Sequence, residues 1–217
     1  MADASARANF IQLLNSPRPG DELADFISAR PDALVLMERA SQIPAGPASF
    51  HSGSTLSHIA RCMNATAGDP IAVWMAMCHD AGKLSTPSAM FPHHYNHEIR
   101  GAAIIETWAT DLFLPPKFRL SGVLAASEHM KAGAFPRLRP GKKLALLEKI
   151  SDSPWAAQFW RLINADTKST LGDALRRLQG INDRAREMGA TIDYRIAMIK
   201  KITADMSVPR GEKTGVQ

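Results

Sequence analysis

The stretch Met77-Cys78-His79-Asp80-Ala81-Gly82-Lys83 decides how the rest of the chain is read. An apolar run, Ile71 to Cys78, precedes an adjacent histidine and aspartate, and a glycine follows. Ile71 to Cys78 carries Trp74 and Met77 with almost no polar interruption, so it predicts a buried helix with His79 and Asp80 at its C-terminal end. Asp69 and Pro70 supply the cap-then-proline start of that helix. Adjacent helical residues point about 100° apart, so His79 and Asp80 share no narrow face. They can still meet one ion where the helix ends. Imidazole nitrogen with carboxylate oxygen suits a borderline divalent metal. All seven histidines fall between His51 and His129, which makes this region the chemical centre of the chain.

The flanking segments read as helices throughout. Ala4 to Leu14 places Phe10, Leu13 and Leu14 on one side, and Pro17, Pro19 and Gly20 close it. Asp21 caps Glu22 to Ala29. Pro31 opens a further helix, Ala33 to Ala40. A Pro, Gly and Ser-rich loop, Ile43 to Gly53, leads to a Ser54 or Thr55 cap and a helix to about Ala67. That helix carries His58 beside Leu56, Ile59, Ala60 and Met63. A helix from Glu98 to Trp108 follows the cluster His93, His94 and His97. Lys117 to Met130 ends near His129. Lys142 to Ile150, a run with Phe159, Trp160, Leu162 and Ile163, then Leu171 to Met188 and Ile192 to Met206 complete the pattern. Val208 to Gln217 reads as a disordered tail. No β-alternation stands out, so the fold class is all-α.

The pattern His58, His79-Asp80 and a distant aspartate resembles the H…HD…D signature of the HD-domain metal-dependent phosphohydrolases. Cys78 to Ala102, CHDAGKLSTPSAMFPHHYNHEIRGA, resembles the HD domain that follows the polymerase part of bacterial CCA-adding tRNA nucleotidyltransferases, as does Phe135 to Pro140, FPRLRP. The resemblance spans roughly Arg30 to Thr170. It implies a helical bundle with an N-terminal helical extension (1–45), an HD domain with C-terminal helices (46–205) and a tail (206–217).

The resemblance also implies a site. His58, His79, Asp80 and Asp166 are the expected metal ligands. Asp152 competes with Asp166, but Asp152 lies in a Ser-Asp-Ser-Pro turn where an aspartate serves as a cap, whereas Asp166 ends an apolar-periodic run. His51 resembles a histidine of the family's HPE-type loop. Lys83, His97 and His129 are the expected catalytic groups, and Lys83, His94, Arg100 and Lys168 the expected substrate contacts. Two departures stand out. The family's HHGHE-like run becomes His93-His94-Tyr95-Asn96-His97-Glu98, one residue longer and without the glycine, and an arginine expected after the last aspartate is Lys168.

The implied activity is hydrolysis of nucleotide or RNA phosphoesters, with water activated by a divalent ion (Mn, Ni, Co, Mg, Fe or Zn) attacking phosphorus. The alternative is an RNA-binding module, or a subunit associated with tRNA 3′-end processing, without its own catalysis. No Gly-Ser loop with paired carboxylates on a β-hairpin, as a nucleotidyltransferase requires, is present. The net charge of +5 and a pI near 9.4 favour anionic partners such as nucleotides, RNA ends and tRNA. No stretch of about 20 apolar residues appears, which argues against a membrane span. Without a signal-like N-terminus the expected location is cytoplasmic. Cys62 and Cys78 read as buried free thiols.

Overall fold

The computed structural model of the chain describes residues 4–30, 32–48, 53–204 and 206. Among these the architecture is all-α: helices α1 (Ala4–Leu14), α2 (Pro19–Ala29), α3 (Thr55–Ala65), α4 (Pro70–Cys78), α5 (His97–Asp111), α6 (Pro116–Gly133), α7 (Pro140–Ser151), α8 (Ala156–Thr167), α9 (Leu171–Glu187) and α10 (Ile192–Ile202). Extended pairing among the described residues is limited to one isolated bridge between Pro44 and Ser54.

Helix α4 is the axis of the bundle. Its nine residues are too few to hold a helix alone in water, so packing must hold it. Ala72 to Cys78 are all fully buried. Asp69 starts it, accepting from the amides of Ile71 and Ala72, with Pro70 in the first turn. Helices α1, α3, α6 and α8 surround it. Trp74 meets Phe10, Trp108 and Phe118 edge-on at centroid distances of 5.6, 6.4 and 6.0 Å, and its indole N–H donates to the Phe118 carbonyl at 2.6 Å. Burying a side chain of this size contributes about 1.5–3 kcal/mol relative to exposure, so the tryptophans fix where α4 ends. Phe10, Leu14 and Leu23 of the first two helices belong to the same apolar core.

Several boundaries differ from the sequence reading. Helix α2 begins at Pro19, not Glu22. Proline is at home in a first turn, and Asp21 pairs with Arg18 and accepts from Asn64 Nδ2 at 2.7 Å instead of capping. Ala33 to Ala40 is not an α-helix. Leu36 adopts φ 71°, and only a 3₁₀ turn, Met37–Arg39, follows. Tertiary contacts override propensity there: Leu34 and Met37 are buried, and Trp108 Nε1 donates to the Val35 carbonyl at 3.0 Å. Pro31 and His51 lie outside the described residues, as do residues 207–217. Helix α10 stops at Ile202, where Thr203 hydrogen-bonds Ile199 O and accepts from Lys143. Asp152, read as a cap in its turn, is the C-cap of α7.

Candidate metal centre

Five elements bring their side chains to one buried point. Ser54 caps α3 by accepting from Ser57 N, and one turn in, His58 faces the interior. Helix α4 ends in His79 and Asp80. The chain then tightens into a 3₁₀ turn, Ala81–Ser85. Gly82 adopts no left-handed conformation. It is required for close approach: an added Cβ would fall on the carbonyl oxygen of His97 and 2.7 Å from the amide of Gly101. That contact seats α5, and with it His97, against the turn after Asp80. Helix α6 supplies His129, and the last turn of α8 supplies Asp166.

Asp80 is the hub. Its Oδ2 lies 3.3 Å from His58 Nε2 and 3.4 Å from His79 Nε2. Those two nitrogens are 3.0 Å apart, and Asp166 Oδ1 lies 3.2 Å from the first and 3.7 Å from the second. The other oxygen, Oδ1, lies 3.4 Å from His97 Nε2 and 3.5 Å from His129 Nε2, which are 3.2 Å from each other. Donor atoms about 2.0–2.2 Å from one ion stand about 2.8–3.6 Å apart at octahedral to tetrahedral angles, close to these separations. The donor set can therefore hold a metal ion, and a nitrogen–oxygen set suits a borderline divalent one.

The hydrogen-bond partners of the histidines sharpen this. His79 Nδ1 lies 2.7 Å from Ala76 O, His97 Nδ1 2.7 Å from His94 O, and His129 Nδ1 3.0 Å from Ala126 O. A carbonyl only accepts, so each Nδ1 carries a proton, and each ring when neutral aims its Nε2 lone pair at the cluster. Backbone partners on the far nitrogen are what orients metal-ligating histidines.

Charge follows the same geometry. Burial alone would raise the Asp80 carboxyl, but the Lys83 ammonium and the imidazoles of His79 and His129 outweigh it and hold it well below the usual range. Asp166 is likewise held down against burial, chiefly by hydrogen bonding to His58 and by His79. His79 is raised, because Asp80 and Asp166 overcome its burial, whereas burial wins at His129 and lowers it.

The remaining sequence-predicted residues sit around this centre. Lys83 is buried and committed: its ammonium donates to Asp80 Oδ2 at 2.7 Å and to Ala45 O at 2.6 Å. His94 is buried with both ring nitrogens engaged, by Thr86 Oγ1 at 3.1 Å and Pro44 O at 2.8 Å. Arg100 braces the loop through Ser85, Thr86 and the Tyr95 carbonyl. Lys168 is exposed and forms the left-handed C-cap of α8, two residues beyond Asp166. Asp152 is exposed and pairs with Arg186 at 3.0 Å, away from the centre. Two residues were missed. Arg61 Nη2 lies 2.9 Å from His58 Nδ1, and Cys62 Sγ lies 3.9 Å from His58 Nε2, within the same donor group as His79 and Asp166. Their signal was helical spacing, since positions three and four beyond His58 share its face. Burial pushes the Cys62 thiol up, so it stays protonated unless an ion claims it.

The chain is similar to part of several multifunctional CCA proteins. It is 33% identical to that of Alkalilimnicola ehrlichii over 166 residues, which is 74% of this chain and 40% of the relative. It is 30% identical to that of Xanthomonas axonopodis pv. citri over 137 residues, 57% of this chain and 33% of the relative, and 39% identical to that of Nitrosococcus oceani over 75 residues, 35% of this chain and 18% of the relative. The matched region thus spans less than half the length of these relatives. No family model and no solved structure matches the chain. No helix among the described residues is long and apolar enough to cross a membrane. What the comparisons show is a region similar to one part of multifunctional CCA proteins.

Proposed function

We propose that this protein is a metal-dependent phosphohydrolase of the HD type. Its substrates are phosphoesters of nucleotides or RNA ends, and its activities are of the 2′,3′-cyclic phosphodiesterase, 2′-nucleotidase or phosphatase kind. One observation carries the reading: the buried Asp80 carboxylate turns one oxygen to His58 and His79, which also meet Asp166, and the other to His97 and His129. His58, His79, Asp80 and Asp166 would hold the ion. A divalent ion there polarises a phosphoryl oxygen and lowers the pKa of a bound water.

The chain's own groups do the rest. Lys83 fixes Asp80 in rotamer and charge rather than reaching a phosphate, because both its acceptors belong to the protein. His97 and His129 turn their Nε2 atoms to each other and to Asp80 Oδ1, where they would help hold a second ion or hand a proton to the leaving alkoxide. Lys168, exposed beyond Asp166, meets substrate phosphate at the rim. The resemblance to the HD domain of CCA-adding tRNA nucleotidyltransferases, together with the similarity to multifunctional CCA proteins, puts an RNA 3′ end, with tRNA foremost, at the head of the substrate class.

The test is hydrolysis of 2′,3′-cyclic AMP and para-nitrophenyl phosphate by stripped protein reloaded with Mn, Ni, Co or Mg. Metal-dependent turnover lost in Asp80→Ala and in His129→Gln is expected. A folded wild type that turns over neither substrate with any of these ions overturns the reading for both.

A further inference from the structure

Of the four histidines in the centre, His58 alone faces a cation with its far nitrogen. His79, His97 and His129 each point Nδ1 at a backbone carbonyl. His58 points Nδ1 at the Arg61 guanidinium, with Nη2 at 2.9 Å. Guanidinium only donates and stays protonated, so His58 Nδ1 must accept and the neutral ring carries its proton on Nε2. The neighbouring distances form a consistent chain. Arg61 donates to His58 Nδ1, His58 Nε2–H faces three acceptors, His79 Nε2 at 3.0 Å, Asp166 Oδ1 at 3.2 Å and Asp80 Oδ2 at 3.3 Å, and His79 Nδ1–H donates across 2.7 Å to Ala76 O. Arg61 is itself pinned, because its Nη1 donates to the Ala165 carbonyl at 2.6 Å, next to Asp166. One arginine thus ties together the two elements that bring His58 and Asp166.

His58 thus turns a proton toward the cluster, whereas His97 and His129 offer each other two lone pairs at 3.2 Å. A nitrogen that bears a proton cannot coordinate. An ion can use His58 Nε2 only after that proton has left and another has arrived at Nδ1, a tautomer exchange with no net change of charge. The new Nδ1–H then points at a donor, so the Arg61 guanidinium must withdraw.

We infer that Arg61 is a positioning residue that holds His58 as its Nε2–H tautomer, making His58 the last of these histidines to engage an ion. The inference rests on the metal-centre reading above, and it is specific to the tautomer. Arg61→Gln places a side-chain oxygen within reach of Nδ1–H, and Arg61→Met removes the opposing donor. Arg61→Lys keeps a donor and serves as the control for a merely structural role.

Two readouts on the full-length chain test it. The first is ¹⁵N NMR of the metal-free protein at pH 8, with the His58 signals assigned by their loss in His58→Gln. The wild type and Arg61→Lys are expected to show the Nε2–H tautomer, and Arg61→Gln and Arg61→Met the Nδ1–H tautomer. The second is Co²⁺ titration followed by calorimetry. Removing a supporting outer partner of a metal-bound histidine costs about 10–100-fold in affinity; Arg61 opposes the coordinating tautomer and Gln supports it, so Arg61→Gln is expected to gain at the low end of that range, about tenfold tighter Co²⁺ binding than wild type. A wild-type His58 already protonated on Nδ1 overturns the inference, even if both variants fail to fold. So does Co²⁺ affinity in Arg61→Gln and Arg61→Met that is no higher than in wild type. Absence of Co²⁺ binding in every form sinks the metal-centre reading and the ion-entry part with it, while the tautomer measurement still decides what Arg61 does.

Discussion

Asp80→Asn in the metal-free protein isolates the contribution of the hub. The Asp80 carboxylate is 2% exposed and the Lys83 ammonium 5% exposed, and they meet at 2.7 Å. Replacing the carboxylate by an amide leaves a buried cation with a single full acceptor, the Ala45 carbonyl. Removing one partner of such a pair costs about 3–5 kcal/mol, most of it the desolvated charge left behind. For a chain of 217 residues that is roughly 6–20 °C in Tm, at about 2–4 °C per kcal/mol. Lys83→Met is the milder change. The carboxylate it leaves still faces His79, whose pKa is already raised by Asp80 and can rise further to keep a balancing proton. The loss in Lys83→Met should therefore be smaller near pH 6 and grow toward pH 8, as that proton is given up. The double variant Asp80→Asn/Lys83→Met removes both charges and should be more stable than the sum of the two losses, by about 0.5–3 kcal/mol. Urea unfolding followed by far-UV circular dichroism, in chelator, reads all three. Additive losses would refute the reasoning, as would an Asp80→Asn loss under 1 kcal/mol, well below the expected range.

Three further outcomes follow from the same geometry. Asp80 and Asp166 are held below the ordinary carboxylate range, so the unfolded chain takes up protons first. Their contribution is complete above about pH 5 and is lost progressively as the pH falls toward the folded values. The urea midpoint of the metal-free protein should drop between pH 5 and pH 3, less steeply in Asp166→Asn, and a slope identical to wild type in that variant would rule the contribution out. Gly82→Ala drives a methyl group into the His97 carbonyl and should cost about 1–3 kcal/mol or more, with weakened Co²⁺ binding because α5 carries His97. An unchanged midpoint would mean the approach of the two backbones is not needed. Cys62 and Cys78 are both buried, and burial raises both thiols, so an aromatic disulfide reagent should find no reactive thiol in the native protein and two after unfolding. A thiol that reacts at native rates would contradict their placement.

Legibility in the sequence tracked the range of the interaction that fixes each feature. Asp69 and Pro70 announce α4 locally, its apolar run announces its burial, and His79 and Asp80 follow at its end. Asp166 stood out against Asp152 because a periodic apolar run leads into it, and the geometry puts Asp166 beside His58 while Asp152 pairs with Arg186 on the surface. Features fixed by distant partners were hidden. The acceptor that commits Lys83 is the Ala45 carbonyl, 38 positions earlier, and the one that engages His94 is Pro44 O, 50 positions earlier. Arg61 reaches Ala165, 104 positions away. Leu34, Leu36 and Met37 suggested a helical face, but their burial is met by a turn that also offers the Val35 carbonyl to Trp108. A local pattern cannot report a backbone acceptor whose position depends on the folded bundle.

The His93 to Glu98 segment shows why a one-residue departure from the HHGHE-like run it resembles need not disturb the centre. Asn96 takes a left-handed conformation, φ 56° and ψ 25°, directly before α5. Asparagine tolerates that region better than most residues, so the missing glycine has a workable substitute. On the N-terminal side the loop reaches the surface, where His93 and the exposed Tyr95 stack at 5.6 Å. On the C-terminal side everything is fixed. His97 Nδ1 meets the His94 carbonyl, Arg100 clasps the Tyr95 carbonyl together with Ser85 and Thr86, and Gly82 admits the His97 backbone. These constraints come from the turn after Asp80 and from α5 itself, and none of them depends on how many residues precede His94. His97 therefore keeps its place opposite His129, while the loop before it is free to differ in sequence and length.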